Sequence, residues 1–145
     1  MSFLNSLDIS GSALTAQKLR MDVISSNIAN ANTTRTEEGG PYKKKMVVFG
    51  PATGQSSFSG VLDSLEQANL GGVEVSEIVE DANAVKAVYD PDHPDADADG
   101  YVMMPDIDTV EEMVDMMSAT RSYEANVTVF NAVKLMATKA LEIGR

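Results

Sequence analysis

Cysteine and tryptophan are both absent from this 145-residue chain, and histidine occurs once. Without thiols the chain forms no disulfide and offers no thiolate metal site. With His93 as the single histidine, the usual catalytic triads and histidine-based metal centres cannot be built within one chain. Basic residues are scarce: 11 Lys and Arg stand against 22 Asp and Glu, for a formal net charge of −11. That balance argues against nucleic-acid binding, which needs basic patches to neutralise phosphate, and against docking on an anionic membrane surface. No apolar run is long enough to span a bilayer. The first basic residue is Lys18, so the positive n-region of a secretory signal peptide is missing. The expectation is a chain that stays in the cytoplasm or leaves by a route without a cleaved signal.

The length is about one domain's worth; hydrophobic residues make up 43% of it, enough for a modest core, and nine are methionine, a side chain suited to adaptable helix contacts. Residues Asp8 to Ala31 read as a helix, with Asp8, Ser10 or Ser12 as candidate caps. Leu7, Leu14, Met21, Ile24, Ile28 and Ala31 keep heptad spacing, with Ser10 and Gln17 filling the seam. Asn27, Asn30 and Asn32 crowd its end, where Asn tolerates turn and cap conformations. Gly39-Gly40-Pro41 marks a loop. Tyr42 to Phe49, Val73 to Val79, Val85 to Tyr89 and Tyr101 to Met104 read as strands. Gly50 to Gly60 reads as a loop, and Val61 to Leu70 as a short helical turn.

The last segment carries the clearest pattern. Asp108 with Glu111 three residues on resembles a capping box, and Glu111 and Glu112 put negative charge where the helix dipole favours it. Gly144 suits the residue just past the helix end. One apolar seam runs through Met113, Met116, Thr120, Tyr123, Val127 and Phe130, on to Lys134, Ala137 and Leu141. A second runs through Ala119, Ser122, Asn126, Val129 and Val133, on to Met136, Ala140 and Ile143. One core needs one stripe, so two stripes call for two sets of neighbours. From Thr109 to Ile143 a helix would be about 52 Å long, against a roughly 38 Å sphere for a compact chain of this size. The expected fold is mainly α with a small β module. Long terminal helices pair as an antiparallel-type coiled coil, and residues 1–32 together with 106–145 form a helical domain around a β-rich middle module, 33–105.

Signs of chemistry are few. Gly50-Pro51-Ala52-Thr53-Gly54-Gln55-Ser56 has three residues between its glycines where a P-loop needs four, and Gln55 where the lysine belongs. Asp95-Ala96-Asp97-Ala98-Asp99-Gly100 matches the first half of an EF-hand loop, but Asp106 stands where a bidentate Glu is needed and Pro105 precedes it. Asp-rich turns with Gly arise equally from Asp bonding its own backbone. No catalytic, cofactor or metal residue is assigned, and no enzyme activity is expected.

Ser26-Asn27-Ile28-Ala29-Asn30-Ala31-Asn32-Thr33 resembles the signature at the start of the flagellar rod and hook proteins. The acidic stretch from Tyr89 to Val102 and the helical stretch from Val110 to Val127 resemble those of the proximal rod type, the FlgC family, and Gly72 to Asp81 also fits. Asp106 and Asp108 stand where that family usually has Asn, and Met103-Met104 replace a pair that usually includes an aromatic. The resemblance implies a structural subunit of the bacterial flagellar basal-body rod, a hollow, periplasm-spanning drive shaft that transmits torque and surrounds the export channel. Implied partners are further copies of the chain, other rod subunits, base-ring or adaptor components and the flagellar type III export apparatus. No cofactor is implied. The interface residues expected on this reading are Leu14, Met21, Ile24 and Ile28 in the first helix. In the last helix they are Met113, Met117, Tyr123 and Val127 with Phe130, Val133, Met136 and Leu141. Two rival readings are a soluble helical adaptor that docks one partner on its exposed seam, and a Ca²⁺-dependent or acid-dependent protein built on the Asp loop.

Overall fold

The computed structural model describes residues 3–37, 39–52, 71–81 and 83–143. Helix α1, Phe3–Ala29, leads into strand β1, Lys45–Pro51. Strands β2, Val73–Glu80, β3, Val85–Tyr89, and β4, Tyr101–Pro105, follow, and helix α2, Thr109–Ile143, closes the described chain. The helical turn expected over Val61 to Leu70 and the Gly144 cap lie outside the described residues.

α1 begins five residues before Asp8. Ser10 and Ser12 do not cap it; their hydroxyls donate to the carbonyls of Ser6 and Ile9 inside the helix. Such back-bonding satisfies a serine within a helix that tertiary packing holds together. Packing is what carries the helix past its local signals, since Leu7 in the added stretch is half-buried. α2 starts as its sequence indicates: Asp108 Oδ1 accepts from the N–H groups of Val110 at 2.8 Å and Glu111 at 3.4 Å, satisfying donors that the first turn leaves open.

The two helices pack along their lengths and run antiparallel. Asn27 meets Glu112, whereas Met21, earlier in α1, meets Thr120, later in α2. On α2 the contact face is spaced by sevens, through Glu112, Ala119 and Val133, all buried. α2 is the longer helix, about 52 Å against about 40 Å for α1, so its last turns project beyond its partner.

The β content forms two separate antiparallel hairpins, β1–β2 and β3–β4, that share no strand pairing. β1–β2 lies along α1. Its register runs from Lys45 opposite Glu80 to Pro51 opposite Val73, with a shift between Val48 and Phe49. β1 starts three residues later than the sequence pattern, because Tyr42 to Lys44 are spent crossing the end of α1. It also runs two residues further: Gly50 and Pro51 are strand and not loop. Gly72 allows β2 to approach α1, since a Cβ there would run into Ser12 Oγ and come within 3.3 Å of the Ile9 Cα. The Ser12 hydroxyl in turn accepts from the Val73 N–H at 3.1 Å. A small cluster of Ala31, Tyr42 and Ile107 joins the ends of the two helices to the strands.

Candidate assembly interface

Among the described residues, no group of three or more His, Asp or Glu side chains is arranged to hold a metal. In the Asp loop, the first residue of the EF-hand-like stretch is engaged elsewhere. Asp95 Oδ2 accepts from the Thr34 hydroxyl at 2.8 Å and Oδ1 lies 3.9 Å from Arg35. The carboxylate therefore ties the loop to the chain just after α1. Around it the backbone closes its own turns, with Asp97 N–H donating to Tyr101 O and Asp90 N–H to Gly100 O. Gly100 sits at φ +80, which only glycine adopts without strain. Asp106 pairs with Lys86 at 3.4 Å on the surface.

The helix pair divides the expected interface residues into two groups. Ile24 and Val133 are buried inside the chain's own α1–α2 contact, and Leu14, Met21, Ile28, Tyr123 and Val127 are half-buried. Met113, Met117, Phe130, Met136 and Leu141 face solvent, with Met117 55% and Leu141 77% exposed. The two seams do not separate cleanly. Val129 and Met136 of the second lie exposed, while Met116, Tyr123 and Val127 of the first are half-covered. A helix of 3.6 residues per turn drifts against a 3.5-residue repeat, so a contact face crosses from one seam toward the other. Val110, Val114 and Leu135 are exposed as well, at 54% or more. They fall outside both heptad seams, which is why the periodicity missed them.

Periodicity also missed the polar centre that holds the helices and β1 together. Asn27 is 1% exposed and uses every hydrogen-bonding position of its amide. Its Nδ2 donates to Lys45 O at 2.9 Å and to Glu112 Oε2 at 3.0 Å. Its Oδ1 accepts from Lys45 N–H at 3.0 Å and from the Tyr42 hydroxyl at 3.1 Å. The Ser26 hydroxyl, 3.3 Å from the phenol oxygen, is left to donate to it. Glu112 is 2% exposed, and its Oε1 is 2.8 Å from Lys44 Nζ. That hydrogen bond holds the Lys44 ammonium above the usual lysine range, against the opposing effect of burial; the charges of Glu112, Glu111 and Asp115 add to it. Asn27 thus does more than end a helix, and Glu112 does more than complement the helix dipole. A signal was available: Glu112 stands one heptad before Ala119, so a charge occupies a packed seam position.

Two family profiles cover the chain's ends. Residues 7–35 match the family described as flagella basal body rod protein, and residues 98–143 match the C-terminal region of the flagellar basal body rod FlgEFG proteins. The first profile contains Asn27 and the second Glu112. Whole-chain relatives agree. The chain is 53% identical to the flagellar basal-body rod protein FlgC of Bacillus subtilis, with all of both chains aligned. It is 46% identical to that of Escherichia coli O6:H1, again over all of both chains, and 45% identical to that of Borreliella burgdorferi, over 99% of this chain and 98% of the relative. With the helical ends, the β middle and full-length identity in agreement, the chain belongs to the FlgC family of flagellar basal-body rod proteins, a family of structural subunits of the basal body and not of enzymes.

Proposed function

We propose that this rod subunit polymerises through its terminal helices, with other copies of itself and with other rod subunits, into a hollow drive shaft that transmits torque and surrounds the export channel. On this reading residues 1–32 and 106–145 form the helical domain of the shaft as an antiparallel, coiled-coil-type pair, and 33–105 form the β-rich middle module. Leu14, Met21, Ile24, Ile28, Tyr123, Val127 and Val133 build the pair. Met113, Met117, Phe130, Met136 and Leu141 meet neighbouring subunits. Base-ring or adaptor components and the flagellar export apparatus are further partners, and the shaft crosses the periplasm.

The observation that carries this reading is the apolar surface left on α2 after α1 has docked. Met113, Met117, Leu135, Met136 and Leu141 are all exposed on one 35-residue helix. Met113 and Met117 lie near the start of the helix and Leu135, Met136 and Leu141 near its end, and exposed apolar patches mark interaction sites. Many such contacts around a shaft resist shear because packed interiors deform little. A soluble adaptor would use the same surface, but family membership favours the rod.

Phe130→Asp tests the proposal. Phe130 is already 36% exposed, so the folded chain tolerates the charge, while an apolar subunit contact does not. The variant is expected to fold, and cells carrying it in place of the wild type are expected to build no flagella and not to swim. Flagellated, swimming cells would refute the assignment.

A further inference from the structure

The β3–β4 hairpin stands apart from the helices. Among the described residues, neither of its strands runs along α1, α2 or the β1–β2 hairpin. A two-stranded hairpin with no helix or third strand against it is marginal in water, and one of its faces is apolar and uncovered. Cross-strand pairing puts Tyr89 opposite Tyr101 and Ala87 opposite Met103 on that face. Tyr89 is 65% exposed, and Tyr101 and Met103 are nearly half exposed. The two rings meet edge to face with 5.4 Å between their centroids, so the aromatic surface is already ordered. Asp90 follows Tyr89, and Asp99 precedes Tyr101 by two residues. Both carboxylates are exposed, and neither has a cationic partner among the described residues.

On α2 an open groove of about 500 Å³ has the matching chemistry. Met113, Met116, Met117 and Thr120 line it, with Arg121 and Glu124 toward its C-terminal end. Arg121 is exposed and pairs with no carboxylate among the described residues. We propose that the Tyr89–Tyr101 face of one copy of the chain seats in the methionine groove of the next, with Asp90 and Asp99 turned toward Arg121. The proposal rests on the reading that copies polymerise, and it names one contact between them. Thioether sulfur packs favourably against aromatic rings, and carboxylate–guanidinium pairing fixes orientation. Copies of a chain with net charge −11 repel at long range, so a contact between them needs local opposite charges of this kind. Hairpin against hairpin fails that need, because the carboxylates of one would face those of the other. Nor does the hairpin fill the groove of its own chain, since its strands do not pack on α2. The contact joins unlike surfaces, so it repeats from copy to copy into a ring or a filament.

The chain has no cysteine, so disulfide cross-linking reads the contact directly. Cells express full-length Met103→Cys and Met117→Cys chains together in place of the wild type, and their basal bodies are purified and oxidised. A cross-linked dimer is expected, and none when either variant is expressed alone. Arg121→Glu in the Met117→Cys chain should lower the dimer yield about 10-fold or more, since like charges would then face each other. Asp90→Lys with Asp99→Lys in the Met103→Cys chain should restore it. Basal bodies that contain both cysteine variants but give no dimer would overturn the contact and leave polymerisation through the helices standing, which Phe130→Asp tests separately. A charge reversal that restores nothing would overturn it too. Should the cysteine variants build no basal bodies, swimming reads the same charges in the cysteine-free chain. Arg121→Glu is expected to abolish swimming, and its combination with Asp90→Lys and Asp99→Lys to restore it. Swimming Arg121→Glu cells, or a combination that does not swim, would overturn the contact.

Discussion

The side-chain amide of Asn27 pairs with the main chain of Lys45 as a neighbouring strand would, donating to its carbonyl at 2.9 Å and accepting from its N–H at 3.0 Å. A primary amide offers a donor and an acceptor side by side, which an ionised carboxylate does not. α1 therefore reads the backbone of the chain entering β1 and fixes where the strand begins. Asn27→Asp keeps the acceptor and loses the donor, setting carboxylate oxygens against Lys45 O and Glu112. A loss of about 3 kcal/mol or more in folding stability is expected. The urea midpoint, with unchanged m, measures it.

Lys44 gives the stability a signature in alkali. Its folded pKa is raised above the ordinary value of 10.5 by the hydrogen bond to Glu112. A group whose folded pKa is raised contributes fully below its unfolded pKa, and the contribution fades as pH rises through the folded value. Wild type should exceed Lys44→Gln by about 1.5–3 kcal/mol near neutrality, as a hydrogen bond to a charged group is worth. The gap should hold up to the ordinary lysine pKa and close above it. Denaturant titrations of both proteins from neutral to strongly alkaline pH check this; a gap independent of pH would refute it.

Gly72 is fixed by crowding and not by backbone conformation. A Cβ at that position falls 2.9 Å from the Ser12 Cβ as well as against its hydroxyl. Gly72→Ala therefore must push β2 off α1, at about 1–3 kcal/mol, the usual range for overpacking. Ser12→Ala in the same chain removes the hydroxyl but not the Cβ contact, so it should recover only part of the loss in thermal melts.

Millimolar Ca²⁺ should leave the melting temperature unchanged, because Asp95 is engaged by Thr34 and Arg35 instead of converging with its neighbours. Asp95→Ala should cost at most about 1 kcal/mol, the range of exposed ion pairs. A calcium-dependent rise in melting temperature, lost in Asp95→Ala, would restore the ion-site reading.

Much of the fold was legible in local chemistry. Asp108 ahead of an unbroken apolar periodicity locates the start of α2, and the β-branched runs at Val73 and Val85 locate the starts of their strands. Turn chemistry does the same for the Asp loop, where Gly100 takes the one positive φ it needs. The start of α1 was not legible, since the serines that resemble caps bond within the helix and packing extends it to Phe3.

The sequence by itself determined two long helices and a strongly acidic composition, because composition and periodicity act locally and need no partner. Only the tertiary structure decided which apolar positions of α2 are spent inside the chain, at Ala119 and Val133, and which remain outside, at Met117 and Leu141. It alone decided that Asn27, Lys44 and Glu112 meet. They lie up to 85 residues apart, and a polar residue shows its burial only through the partner that compensates it.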